Sequence, residues 1–315
     1  MQGVAYDQFG SIDVLGVRDL PNPELSKGQV LVRVVAASIN VIDSRTRSGK
    51  MGLVVNKRFP KVPGVDFAGV LTGVAPGVTG FVVGDEVYGA TNPFKGGALA
   101  ELVAVPNDQI WTKPKGLSFE QAAALPITGL AALYSVRNLG AVKFGDALLV
   151  HGASGGVGLF AIQIAKHLGA MVTAVAGPTG LAAVRAAGAD IVIDYTTPGG
   201  SDFPQLFDVI INASGKMPFA VGKRYLKPDG RLIEPSPTIP VFIGSKLANL
   251  FRKKKHLMLN VFARSKDLAY LSSLVDAGHL SVTVAKVYPL ASVQQAFREQ
   301  EKGGVLGKIV VAMTS

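Results

Sequence analysis

The chain has 315 residues, enough for two domains and a sizeable buried core, and its 48% hydrophobic and 17% charged content excludes a disordered polypeptide. It contains no cysteine, which removes disulfides, thiol nucleophiles and thiolate-bound zinc. The net charge is +10, yet the one compact basic run, Arg252-Lys-Lys-Lys-His256, has neither interleaved aromatics nor a nucleic-acid module around it, so nucleic acid is not the expected partner.

That run reads as a solvated surface face, with weak peripheral contact to an acidic membrane as the alternative. The absence of cysteine fits a soluble, cytoplasmic protein in a reducing compartment, and a mature organelle protein would read the same way. At the start of the chain, Met1 to Asp7 reads as a strand and not as a targeting segment.

A strand follows at residues 29–36. The uncharged stretch 67–84 is long enough to test as a membrane span, but Gly69, Gly73, Pro76, Gly77 and Gly80 interrupt it. Two strands joined by a turn at Ala75-Pro-Gly77 explain it better, with another strand at 85–88. The first part is thus expected to be a compact, barrel-like β-rich unit. Residues 119–139 change to a helical period, interrupted at Pro126.

From Asp146 strands alternate with helices. Strands are expected at 147–150, Met171–Ala176, 190–193, Phe207–Asn212 and 231–234, with helices at 157–168 and 181–187. This alternation implies a parallel sheet covered on both faces, a doubly wound α/β domain. Helices at 266–277 and 292–302 and a strand at 307–312 close the chain.

Between the strand at 147–150 and its helix lies His151-Gly-Ala-Ser-Gly-Gly-Val-Gly158. Dinucleotide-binding βαβ units need small residues at three places after the first strand. The first permits a tight turn, the second a close approach of pyrophosphate, the third close packing of helix on strand. Those places read Ala153, Gly155 and Gly158. Backbone groups of Ser154, Gly155, Gly156 and Val157 would then face the phosphates at a helix N-terminus. A glycine-rich turn without a ligand is the plainer alternative.

Enzymes that use NAD normally carry an acid at the end of the second strand, for the ribose hydroxyls. Here that place is Ala176-Gly177, and no acid follows until Asp190. NADPH is therefore favoured, with Thr179 and the backbone around Gly177 as phosphate contacts and Arg185 as the one nearby cation. Arg185 reads equally well as an ordinary surface charge.

At this point the chain resembles the zinc-free quinone oxidoreductases of the medium-chain dehydrogenase/reductase superfamily, above all the chloroplast-envelope quinone oxidoreductase homologues and the 2-alkenal or enone reductases. The resemblance rests on Ser38-Ile-Asn-Val-Ile-Asp43, Phe59-Pro-Lys-Val-Pro-Gly-Val-Asp-Phe-Ala-Gly69, Ala124-Leu-Pro-Ile-Thr-Gly129, the glycine turn, Gly188-Ala-Asp-Ile-Val-Ile-Asp-Tyr195 and Gly307-Lys-Ile-Val310. It implies a GroES-like catalytic domain over residues 1–120, a Rossmann domain over 121–261 and a return to the catalytic domain over 262–315. It also implies NADPH, an active site in the cleft and often a homodimer.

By the same resemblance Ser214 would border the nicotinamide half of the cofactor and Tyr195 its adenosine phosphate, while the family's usual threonine near the nicotinamide is Ala131 here, with Thr128 three residues earlier in its stead. Val261 and Phe262 would offer backbone groups to the carboxamide. Zinc enzymes of the superfamily place Cys and His-Glu where this chain has Asn40 and Val65-Asp66, so no zinc is expected. Asn40, at the lost ligand position, and Asp43, which could orient it or a water, become the candidate catalytic residues, with a loop-capping pair as the alternative. The family's usual tyrosine is missing from residues 44–62, where Lys50, Asn56 and Lys57 are the polar substitutes.

Without a metal to polarise a carbonyl, the substrate should already be electrophilic, a quinone or an α,β-unsaturated carbonyl. His151 reads as structural, and His167, His256 and His279 as lying on helical or basic surface segments. No Ser-His-Asp spacing supports a hydrolase. The alternative in a different class is a non-catalytic NADPH-binding sensor, structural protein or membrane-peripheral adaptor on the same fold.

Overall fold

The computed structural model describes residues 1–313 apart from 53, 201, 204, 237–243 and 246. The chain forms two units. Met1–Ile127 joins Phe262–Gly278 and Val282–Ser315 in the first, and Thr128–Val261 joins His279–Ser281 in the second.

In the first unit β1 (Gln2–Ala5) and β2 (Gly16–Asp19) form a small antiparallel pair. Then come β3 (Gln29–Ser38), helix α1 (Val41–Arg47), β4 (Asp66–Val74), β5 (Glu86–Ala90), β6 (Leu102–Pro106), β7 (Ile110–Thr112) and helix α2 (Phe119–Ala123). Along β3 the side chains of Val30, Val32 and Val34 recur at period two and pack inward with Phe67, Leu71 and Val87.

The expected second strand within 67–84 does not form. β4 ends at Val74, and pairing resumes only at Glu86. Gly77, Gly80 and Gly84 take left-handed φ values of 84 to 100°, and the Asp85 carboxylate accepts the Val82 N–H at 2.8 Å, so the connection is a chain of turns. The helical stretch expected over 119–139 divides in three. After α2, Pro126 opens helix α3 (Pro126–Leu133) at its first position, where a missing N–H costs nothing. Tyr134–Leu139 then widens into a π-helical turn, the Gly140 N–H reaching the Ser135 carbonyl at 3.0 Å.

The second unit holds β8 (Ala147–His151), α4 (Gly156–His167), β9 (Met171–Ala176), α5 (Leu181–Ala186), β10 (Ile191–Asp194), β11 (Phe207–Asn212), α6 (Phe219–Gly222), β12 (Leu226–Glu234) and β13 (Lys255–Met258). These six strands form one parallel sheet in the order β10-β9-β8-β11-β12-β13. Counted within the unit this is 3-2-1-4-5-6, the order of a dinucleotide-binding doubly wound fold. Leu148, Leu149 and Val150 are all buried, as a strand covered on both faces requires. The sixth strand was not foreseen, because lysine and histidine at its start conceal it.

The returning segments add α7 (Ser265–Asp276), β14 (Val284–Pro289), α8 (Val293–Lys302) and β15 (Lys308–Ala312) to the first unit. β15 runs antiparallel to β3, pairing Val310 with Ser38, and completes a sheet in the order β14-β15-β3-β4-β5-β7, with β6 also on β3. Val293, Ala296 and Phe297 of α8 seal its core.

Candidate active site

The glycine turn leaves β8 beside β11, where the order of strands reverses and ligands of such sheets sit. Gly152, and not Ala153, takes the left-handed conformation, with φ +83°. The N–H groups of Gly152 and Ala153 both reach the Val175 carbonyl, at 3.1 and 2.9 Å, tying the turn to β9. A side chain at Gly158 would lie within 2.6 Å of the Ala153 backbone, so the helix touches the turn there. At Gly155 a Cβ would meet only the Gly152 carbonyl, at 3.6 Å, so space beside it is open. Gly155 is the N-cap of α4 and supplies no capping side chain, leaving the first-turn N–H groups at Gly156, Val157 and Gly158 without a side-chain acceptor there. A tight turn, an open approach and a close packing point thus occur in the order a pyrophosphate cradle needs.

Several expected cofactor residues gather around this turn. Ser154 packs against Gly180 and Ser214 against Gly152, where added side chains would clash. Gly177 follows β9 directly, and the Tyr195 ring lies over it, its hydroxyl 3.0 Å from where a Cβ would be. Thr179 is exposed in the single turn Pro178–Gly180, whose last residue is buried. Arg185 is exposed in the last turn of α5, with no side-chain hydrogen bond or ion pair among the described residues. Thr128 is buried in α3. Val261 ends the long segment of the second unit, and Phe262 opens the return to the first, edge-on to Phe94 at 6.1 Å between ring centres.

The first unit holds a second constellation. Ser38 ends β3, Asp66 begins β4 directly opposite it, and Lys308 begins β15, so three strand ends meet where α1 starts at its N-cap, Asn40. The Asn40 amide is engaged at both ends. Its Nδ2 donates to Asp66 Oδ2 at 2.9 Å, and its Oδ1 accepts from Lys308 Nζ at 2.5 Å. Lys308 Nζ also donates to the Ile39 carbonyl at 2.9 Å and lies 4.0 Å from Asp66 Oδ2. The other oxygen of Asp66 accepts the Ile127 N–H at 3.0 Å, at the start of α3. Asp43 Oδ2 accepts the Asn40 N–H at 2.8 Å, as a third-position helix residue does in a capping box.

All these groups are buried, and burial governs their titration. It pushes the Asp43 carboxyl up to about 7, against which its backbone hydrogen bonds work. Burial also raises Asp66 and lowers Lys308, each toward its neutral form, while their mutual attraction acts in the opposite sense.

Comparison with known proteins is informative at this point. Residues 26–115 match the family described as alcohol dehydrogenase GroES-like domain, and residues 187–311 match zinc-binding dehydrogenase. Over 99% of its length the chain is 32% identical to a chloroplastic quinone oxidoreductase of Triphysaria versicolor, of which it covers 98%. It belongs to the quinone oxidoreductase family of the medium-chain dehydrogenase/reductases. An NADPH-dependent alkenal/one oxidoreductase of Arabidopsis thaliana is 33% identical over 99% of the chain and 79% of that protein. The quinone oxidoreductase from Coxiella burnetii superposes with a TM-score of 0.90 at 32% identity, covering 100% of this chain and 99% of that one.

For a member of this family, the match named for zinc invites a test against the side chains. Zinc takes thiolate, imidazole and carboxylate ligands. Here the amide oxygen of Asn40 and the Asp66 carboxylate already face the Lys308 ammonium, which would repel a metal ion among them. Among the described residues no group of three or more His, Cys, Asp or Glu side chains is arranged to hold a metal. The donor set does not fit zinc.

Sequence reasoning missed Lys308 and the partners of His151. The His151 Nδ1 and the Ser214 hydroxyl are 2.6 Å apart, Ser214 donates to Asn212 Oδ1 at 3.0 Å, and Asn212 Nδ2 donates to Glu234 at 2.7 Å. This chain ties together the ends of β8, β11 and β12. Burial lowers the His151 pKa, which favours the neutral ring. His256 departs from the expected surface location. It lies in β13, buried and stacked on Phe219, because its strand pairs with β12 through Leu232. His167 and His279 are exposed and lie against each other, ring centres 4.3 Å apart. Among the described residues no helix is long and apolar enough to cross a membrane.

Proposed function

We propose that this chain is an NADPH-dependent reductase that transfers hydride to quinones or α,β-unsaturated carbonyls without zinc. The single observation that carries the reading is the glycine turn, closed at Gly158, open at Gly155 and followed by an uncapped helix start. A pyrophosphate would accept hydrogen bonds from the backbone at Ser154, Gly155, Gly156 and Val157, with Ala153 and Gly158 shaping the turn. When bound there, a reduced nicotinamide supplies the hydride.

The corner after β9 holds Ala176 and Gly177 in place of a carboxylate, which supports a 2′-phosphate over free ribose hydroxyls. Gly177, Thr179, Tyr195 and, from α5, Arg185 are its proposed neighbours. Thr128, Ser214, Val261 and Phe262 are the proposed contacts of the nicotinamide half.

Asn40 and Asp43 serve in this reading as positioning residues. The Asn40 amide is held by Asp66 and Lys308, and Asp43 fixes the start of α1. With a fixed ammonium where a metal would act, the acceptor must spread negative charge onto its own oxygen, as quinones and enones do. Hydride adds to the electrophilic carbon, the displaced electron pair moves to oxygen, and water returns the proton.

Mixing the purified chain with NADPH and a panel of quinones and enals, while following cofactor absorbance, tests the proposal. Cofactor uptake with no oxidation across the panel would favour the sensor or adaptor reading, and no uptake would end both. A homodimer is also proposed, on the family resemblance alone, since the outer edge of β13 is already met at His256, whose N–H donates to Asn249 Oδ1 at 2.9 Å and whose carbonyl accepts from Asn249 Nδ2 at 2.6 Å. Sedimentation equilibrium measures it. Four cations in succession at 252–255 support weak contact with an anionic membrane.

A further inference from the structure

The positive charge of the second unit is distributed unevenly. Lys166 pairs with Asp190 and Lys227 with Asp208, at 2.8 and 2.7 Å. By contrast, no acidic residue occurs between Glu234 and Asp267, a stretch that contains Lys246 and the whole run from Arg252 to Lys255. Among the described residues Lys254 Nζ and Lys255 Nζ donate only to uncharged carbonyls, those of Lys223 and Asn249, each at 2.8 Å. Lys223 and Lys253 have no carboxylate partner among the described residues.

Lys223, Arg252, Lys253 and Lys254 border a cavity of about 630 Å³ between α6 and the segment that enters β13. Phe219, Lys223, Arg252, Lys253 and His256 are among its lining residues, and none of the described lining residues is acidic. The cavity adjoins the entry side of the sheet's last strand. The glycine turn follows the exit end of β8, so the two share no residue.

Arg252 gives the cavity its chemistry. Its guanidinium lies over the Phe219 ring at 4.9 Å, with no hydrogen bond or ion pair among the described residues. Phe219 is itself held by the buried His256, stacked at 4.6 Å and 15°. A guanidinium laid on a fixed aromatic face keeps its in-plane N–H groups directed outward, ready for a two-point acceptor. Carboxylate and phosphate both match that fork, and the flanking lysines favour the more highly charged of them. His256 acts from behind: its Nε2 has no hydrogen-bond partner and lies 3.7 Å from Glu234 Oε1.

We propose that this cavity is a phosphate-binding site, separate from the glycine turn, in which Arg252 on its Phe219 platform grips the phosphate and Lys223 and Lys253 neutralise it. It stands apart from the reductase reading and does not depend on it. The phosphate has two possible carriers, a soluble ester or the headgroup of an acidic lipid. Leu250 and Phe251, 74% and 92% exposed immediately before Arg252, would meet the apolar part of a lipid.

Calorimetric titration of the full chain with inorganic phosphate is expected to reveal one saturable site. Arg252→Gln weakens it about tenfold and Phe219→Leu a few-fold, while NADPH uptake stays at the parent value. Pelleting with vesicles of phosphatidylcholine plus phosphatidic acid, but not with phosphatidylcholine alone, and loss of pelleting in Phe251→Ser would identify a lipid carrier. A saturable calorimetric site without pelleting would identify a soluble ester. The proposal is overturned if the parent chain takes up neither probe, or if Gly155→Val abolishes phosphate uptake that Arg252→Gln spares.

Discussion

Charge at the start of α1 and hydrogen-bonding groups at the start of α4 meet opposite fates in this chain. Around Asn40 two carboxylates, an ammonium and an amide are buried together, and each finds its partner inside the protein. At Gly155 the helix begins with no capping side chain, beside open space. A buried polar group left unpaired costs more than a paired one returns, so groups that close on themselves hold structure together, while groups left facing space await a ligand. By that criterion the glycine turn suits the proposed ligand site and the Lys308 cluster holds the structure together.

The largest effect that could break this contrast is expected from Lys308→Met, which leaves Asp66 and Asp43 buried without their cation. It should cost about 3–5 kcal/mol in urea unfolding, and adding Asp66→Asn should recover a large part of that loss. A loss no greater than that of an exposed lysine would mean that the cluster is not coupled. Next, Gly155→Val should weaken NADPH binding about a hundredfold by filling the approach, with a loss of unfolding free energy of only about 1 kcal/mol, that of a poorer N-cap. Gly158→Ala should instead lower stability by about 1–3 kcal/mol, because its Cβ meets the Ala153 backbone.

Asp43 sharpens the contrast through pH. Its folded pKa of about 7 lies above the ordinary 3.8, so the folded state holds the proton more tightly than the unfolded chain. That contribution is complete below about pH 4 and is lost as pH rises toward 7, on the order of 4 kcal/mol in all. Asp43→Asn should flatten this part of the profile in urea titrations across the window, with Asp66, Lys308 and Tyr6 as the coupled neighbours. The smallest effect is expected from Arg185→Gln. An exposed charge of this kind should shift the ratio of NADPH to NADH affinity only a few-fold in paired titrations.

What could be read beforehand follows the same line. The turn at 151–158 is local, so spacing alone pointed to open space at Gly155 and close packing at Gly158, while the left-handed φ at Gly152 carried no signal of its own. Asn40 and Asp43 drew notice through their place in the chain, but the amide's engagement by Lys308 depends on the register of β15 against β3, which no local pattern carries. Glycines at 80 and 84 defeated the second strand expected before Asp85, since their positive φ was invisible in the apolar count. At β13 the lysines that suggested a solvated face hid a strand whose histidine turns inward.

Lys308 joins a residue 268 positions earlier in the chain. During synthesis Asp43 and Asp66 therefore leave the ribosome long before the ammonium that balances them. Without Lys308 and the docking of β15 beside β3, Asp66 would have to be enclosed without its cation, the costlier state for a buried carboxylate. Closure of the first unit's sheet is in this way tied to the return of the chain with a single tethered charge.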